Sequence, residues 1–287
     1  MARARRPIAL ITPIGSATLQ RAIKENLFDK CDFVVMNAIP GSDAFRKPGH
    51  PRLFHVRAGD GDQIAKIVQH IKTLGSRSLH ILHQDLPVGA GGLGMARNSG
   101  NLAGVKVEGV EAKLNDAALA AAATSIAAQR PEQVLLIGTP KYMADAITQS
   151  RRAGIRPPLF ARSYLPPPLL LKTTGEADAR GVASSQAFPN RHGRVLPLRR
   201  EFQATMKRYA PALQAYNVFH LEGYVSARVL VEGFKRGAAA GSEQLARSRR
   251  NMRPIELGGF VVDFSKGNPG GTLVDSRVVS VAGRLIY

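Results

Sequence analysis

Ala9-Leu10-Ile11-Thr12-Pro13-Ile14-Gly15-Ser16-Ala17-Thr18 is the stretch on which the fold turns. It reads as a short buried strand, a glycine turn, then small hydroxyl residues at a helix start. Such a start offers unpaired backbone N–H groups, and with hydroxyls beside them it suits an anion. Outward from it, apolar runs alternate with segments of helical periodicity. Residues 31–39, 53–56, 78–83, 105–113, 133–138, 159–165 and 181–188 read as strands. Between them, residues 62–74 place Ile64, Ile67, Val68, Ile71 and Leu74 at helical spacing, with Gly75 as the cap. Residues 91–99, 116–128 and 143–153 also read as helical, and residues 165–169 as a local proline kink. This alternation predicts α/β architecture with largely parallel sheets. The pattern then changes: residues 198–209, 218–235 and 243–251 are helical. From Leu257 onward the chain is β-rich, with a turn at Gly267-Asn268-Pro269-Gly270-Gly271.

The 287 residues exceed one compact domain, so two lobes are expected. Hydrophobic residues make up 44%, enough for a core, yet no run approaches the ~18 apolar residues of a membrane span. Cys31 is the single cysteine, which excludes an intrachain disulfide, and its apolar surroundings read as core. The net charge of +19, from 40 basic and 21 acidic side chains, first suggests nucleic acid. The basic residues are dispersed, however, with small clusters at Arg3-Arg5-Arg6, Arg199-Arg200 and Arg247-Arg249-Arg250. Trp is absent and no nucleic-acid reading motif occurs, so the expectation is a generally basic surface and no nucleic-acid partner. Met1 to Arg6 is basic and residues 7–14 are apolar, like an export signal. Pro13 breaks that short core, and a strand with a basic lead-in fits better, so no convincing signal peptide is read here.

Motifs along the chain then carry a resemblance. They are Ile39-Pro40-Gly41-Ser42-Asp43-Ala44-Phe45-Arg46, Leu53-Phe54-His55-Val56-Arg57-Ala58, Gly138, Ala153-Gly154-Ile155 and Gly181-Val182-Ala183-Ser184-Ser185-Gln186. Leu221-Glu222-Gly223-Tyr224, Val231-Glu232-Gly233 and Gly258-Gly259-Phe260-Val261-Val262-Asp263-Phe264 follow. In order and spacing the chain from Ala9 to Tyr287 resembles the periplasmic solute-binding proteins of branched-chain amino-acid ABC transporters. The resemblance implies two doubly wound α/β lobes joined by three crossovers, closing on a ligand held between them. Lobe 1 would hold residues 1–57 plus 190–266, and lobe 2 residues 58–189 plus 273–287. Against the family, the opening run corresponds to an internal strand, so lobe 1 is expected to be incomplete. Two βα units, on the order of 60 residues, would be lacking, through truncation, a misplaced gene start or supply from another chain. The implied function is non-enzymatic capture of a small carboxylate-bearing ligand, an amino acid, amide or aromatic acid. The implied partner is a membrane permease and the implied location the periplasm. No cofactor is implied.

The resemblance also assigns site residues. Ser16 falls on the hydroxyl position that meets the ligand carboxylate, with Ala17 and Thr18 beside it; the alternative is that Ser16 simply caps the helix. Gly41 and Ser42 correspond to the next ligand loop, or Ser42 is a plain cap. Ser163, followed by Tyr164, stands at the amine-binding position, where the family has an acid or hydroxyl. Serine cannot neutralise an ammonium as a carboxylate would. Thr139 stands where tyrosine is common, and Val88 replaces an aromatic.

Gly89-Ala90-Gly91-Gly92-Leu93-Gly94 matches the dinucleotide fingerprint G-x-G-x-x-G, with Glu108 following, which makes a nucleotide-dependent α/β enzyme the second reading. Asp85-Leu86-Pro87-Val88 separates that run from its strand, where the fingerprint's turn should follow directly. His80 and His83 read as structural rather than metal-ligating, and no catalytic motif is present.

Overall fold

The computed structural model describes residues 7–190, 196–213, 215–237, 241–248, 253–280 and 285–286. The chain divides into two units, Met1–Gly59 with Phe188–Leu273 and Asp60–Ala187 with Val274–Tyr287, so it passes from one to the other three times.

Unit 1 opens with β1 (Ala9–Ile11), α1 (Ser16–Lys24), the single turn α2 (Leu27–Lys30), β2 (Val34–Met36) and β3 (Leu53–Phe54). These strands form a parallel sheet in the order β1-β2-β3. Leu19, Phe28, Phe33, Val35, Ala38, Phe45 and Leu53 pack as its core. The second segment adds α8 (Pro197–Tyr209), α9 (Val218–Gly237), α10 (Ser242–Ser248) and the antiparallel pair β9 (Ile255–Glu256) and β10 (Val261–Val262). Helix α9 lies against β1 and β2. Phe202 of α8 stacks on Tyr224 of α9 at 5.6 Å.

Two expectations need correcting here. The opening strand is not buried: β1 is an edge strand of its sheet, and Leu10 and Ile11 are each 40% exposed. Cys31 is exposed and not core, because the strand begins only at Val34 and Cys31 ends the turn of α2.

Unit 2 carries a seven-stranded sheet in the order β12-β11-β8-β7-β6-β4-β5. Its parallel members are β4 (Ser78–Gln84), β5 (Lys106–Ala112), β6 (Val134–Ile137), β7 (Leu159–Ala161) and β8 (Ala183–Gln186). The returning strands β11 (Asp275–Val279) and β12 (Leu285–Ile286) are antiparallel. Helices α3 (Asp60–Thr73), α4 (Pro87–Ala103), α5 (Asp116–Ala128), α6 (Pro140–Arg152) and α7 (Pro167–Ala179) connect them. Successive strand residues point to opposite faces. Leu135 and Ile137 join Ile64, Ile67, Val68 and Ile71 of α3 on one face, while Val134 and Leu136 join Leu119, Ile126 and Ile147 on the other. Both faces are therefore covered, which is why strands such as β6 are continuously apolar.

The expected proline kink at 165–169 is instead the start of α7, with Pro166 at the cap position and Pro167 at the first helical residue. A proline there loses no helical hydrogen bond, since that N–H has no partner in any helix.

Candidate ligand site

In parallel α/β sheets ligands gather beyond the carboxyl ends of the strands. In unit 1 those ends are Ile11, Met36 and Phe54, and the loops that leave them are tied together. Thr12 N–H donates to the Met36 carbonyl at 3.0 Å, Asn37 N–H to the Phe54 carbonyl at 2.7 Å, and Ile39 N–H to the Pro13 carbonyl at 3.0 Å. The Ser16–Thr18 and Gly41–Ser42 stretches thus leave adjacent strands on one edge of the same sheet. Thr12 and Asn37 begin the loops at φ 51° and 64°, the left-handed region that a β-branched threonine rarely enters. Strain of this kind persists where the surroundings over-determine the backbone.

Gly15, at φ 109°, takes the cap position of α1, and no side chain caps that helix. Ser16 is its first helical residue, and Ser16, Ala17 and Thr18 are exposed. Capping is therefore not the task of Ser16. Ser42 does cap the short 3-10 turn 43–45: its Oγ accepts from the Ala44 N–H at 3.4 Å. Gly41 is buried.

A buried polar network supports this edge. Asn37 Oδ1 accepts from the Val56 and Arg57 N–H groups at 3.0 and 3.1 Å, and its Nδ2 donates to Glu222 Oε1 at 2.9 Å. Arg57 Nη1 lies 3.3 Å from the same Glu222 oxygen. Burial pushes the Glu222 carboxyl up, opposed by Arg57 and Asn37. His55 is held down at about 3 by burial and then by the Arg46 charge. Its Nε2 lies 3.2 Å from the Phe45 carbonyl, which can only accept, so Nε2 carries the proton.

In unit 2, β5 lies on one side of β4 and β6 on the other, so the strand order reverses at β4. The carboxyl ends of β4 and β6 form that switch point. Thr139 follows β6, and its N–H donates to Gln84 Oε1 at the end of β4, at 2.9 Å. Arg162, Ser163 and Tyr164 follow β7. Ser163 is buried; its N–H donates to Gln63 Oε1 at 3.1 Å, and Ser185 Oγ donates to the same oxygen at 2.8 Å. Tyr164 OH donates to Asp60 Oδ1 at 2.8 Å. Arg162 Nη1 stands 2.5 Å from Asp60 Oδ2, as an ion pair rather than an aligned hydrogen bond.

Unit 1 thus brings Ser16, Ala17, Thr18, Gly41 and Ser42 to one edge, and unit 2 brings Thr139, Ser163 and Tyr164 to another. Sequence reasoning missed Asn37, Glu222, Asp60, Gln63 and Arg162 as supports. The available signal was charge inside apolar stretches, as at Arg162 between Leu159-Phe160-Ala161 and Leu165.

The glycine run is not a phosphate loop. Gly89 to Gly94 lie inside α4, whose cap is Leu86. A Cβ on Gly92 would stand 2.7 Å from Ile137 Cγ2, so this glycine brings helix to sheet. Without a loop, the nucleotide-dependent reading loses its binding element. His80 lies 3.4 Å from Glu108 and His83 3.8 Å from Glu111. Among the described residues, no group of three or more His, Cys, Asp or Glu could hold a metal. No described helix is long and apolar enough to cross a membrane.

Known proteins give the comparison. No curated protein matches the chain. An extracellular ligand-binding receptor from Verminephrobacter eiseniae is 41% identical, with a TM-score of 0.94 over 98% of this chain and 81% of that one. A substrate-binding periplasmic protein from Ralstonia solanacearum is 24% identical, with a TM-score of 0.88 over 100% of this chain and 82% of that one. A branched-chain amino acid ABC transporter from Thermus thermophilus, solved with bound valine, is 14% identical, with a TM-score of 0.78 over 95% and 75%. The last two show the fold alone. Residues 4–281 match the family described as periplasmic binding protein. These are substrate-binding proteins and not enzymes, and with nearly its whole length matched the chain belongs to the periplasmic binding protein family.

Proposed function

We propose that the chain is the solute-binding component of an ABC uptake system and takes a small carboxylate-bearing ligand: a branched-chain amino acid, an amide or an aromatic acid. In this reading Ser16, Ala17 and Thr18 receive the carboxylate, with Gly41 and Ser42 beside them. Thr139, Ser163 and Tyr164 contribute from unit 2. The observation that carries it is the start of α1. Its N–H groups have no capping side chain, its hydroxyls are exposed, and no fixed cation is needed to hold an anion there. The valine-bound transporter protein and the extracellular receptor support a small solute and a location outside the cytoplasm. The partner would be a membrane permease that reads the liganded state, a population shift driven by differential affinity.

Thermal melts with a panel of amino acids, amides, aromatic acids and NAD test the reading. A transition raised by a carboxylate or amide ligand is expected. A chain that responds to NAD alone overturns it.

A further inference from the structure

We propose that the buried Asp60–Arg162 pair makes the unit 2 part of the site electrically neutral, and so selects a carboxylate or amide without an ammonium group. This rests on the binding reading above and narrows its ligand class. Asp60 opens α3 and Arg162 follows β7, and the two side chains are 4% and 1% exposed. Both carboxylate oxygens of Asp60 are committed within the unit: Oδ2 to Arg162 at 2.5 Å, Oδ1 to the Tyr164 hydroxyl at 2.8 Å. The Arg162 guanidinium also lies over the Tyr164 ring, 5.2 Å from its centroid.

An ammonium leaving water needs a carboxylate whose charge is not already spent. Ser163 offers none. The carboxylate that does stand beside Ser163 and Tyr164 is cancelled by its own arginine, which would repel a second cation. Gln63, one turn further along α3, holds the Ser163 N–H and Ser185, fixing the loop in register with the pair. The chain thus keeps an acid near the amine position but withdraws its charge.

The test uses calorimetric titration of matched probes: 4-methylpentanoate against L-leucine, and 3-phenylpropanoate against L-phenylalanine. The native protein is expected to prefer the amine-free acid by about tenfold or more. Arg162→Met, which keeps the bulk and removes the charge, is expected to shift that ratio about tenfold toward the amino acid. Adding Asp60→Asn to it should restore the native preference. A native preference for the amino acid, or an unchanged ratio in Arg162→Met, overturns the proposal. Melts of the single and double variants, without ligand, test the pair itself, and strictly additive effects also overturn it. Coupled melts with none of the four probes bound overturn the selectivity, while the wider panel still judges the binding reading.

Discussion

Ser16 offers the cleanest separation of binding from stability, because its hydroxyl does not cap α1. Ser16→Ala is expected to weaken a carboxylate ligand about tenfold, the worth of one hydrogen bond to a charged group, and to leave the melting midpoint unmoved. His55 makes the opposite kind of prediction. Held at about 3 in the folded chain against 6.5 unfolded, it binds fewer protons when folded. Stability therefore falls as pH drops below 6.5 and goes on falling toward 3. From pH 7 to 5 the loss from this group is about 2 kcal/mol, and His55→Gln, which can still donate to Phe45, should flatten the fall in denaturant melts. Glu222, pushed up by burial, acts with the reverse sign above the normal glutamate range. The individual site residues were legible only in part. Ser163 and Tyr164 are singled out by the family resemblance alone, whereas Asp60 meets Tyr164 across 104 positions of sequence, a pairing that local pattern does not encode.

Helix α4 shows how an element can mislead. Its glycines imitate a nucleotide fingerprint, yet they differ sharply in what surrounds them. A Cβ on Gly89 would stand 2.0 Å from the Gln84 carbonyl oxygen, while Gly91 has nothing within 4 Å. Gly89→Ala is expected to destabilise by about 2–3 kcal/mol through forced backbone displacement, whereas Gly91→Ala should stabilise by up to ~1 kcal/mol from helix propensity. Melting midpoints of the two variants check both signs. The strands of unit 2 were legible because both sheet faces are covered, so runs such as Val134–Ile137 stay apolar throughout. Helix α7 was not legible. Its prolines look like a breaker until their place at the helix start is known, and Gly175, at φ 74°, interrupts its periodicity. Strand β1 reads as buried from its apolar composition, but composition does not say which strand ends a sheet.

Charge belongs to the molecule as a whole and is unevenly shared. Unit 1 holds 24 basic and 10 acidic side chains, net +14, and unit 2 holds 16 and 11, net +5. Self-repulsion on that scale weakens the compact state and is screened by salt. Raising ionic strength from ~20 to ~300 mM should lift the melting midpoint by about 2–4 °C, read by calorimetry at pH 7. The threefold passage between units has a different consequence, in the order of events during synthesis. Strands β1 to β3 leave the ribosome well before α9, which lies against β1 and β2 and follows only after the whole of Asp60–Ala187. At ribosomal speeds that interval is on the order of ten seconds, during which the apolar strands of unit 1 have no α9 to lie against. Unit 1 has all its segments once Leu273 is made, whereas unit 2 still awaits its returning strands β11 and β12, so each unit stays open while part of the other is synthesised and unit 2 is the last to be completed.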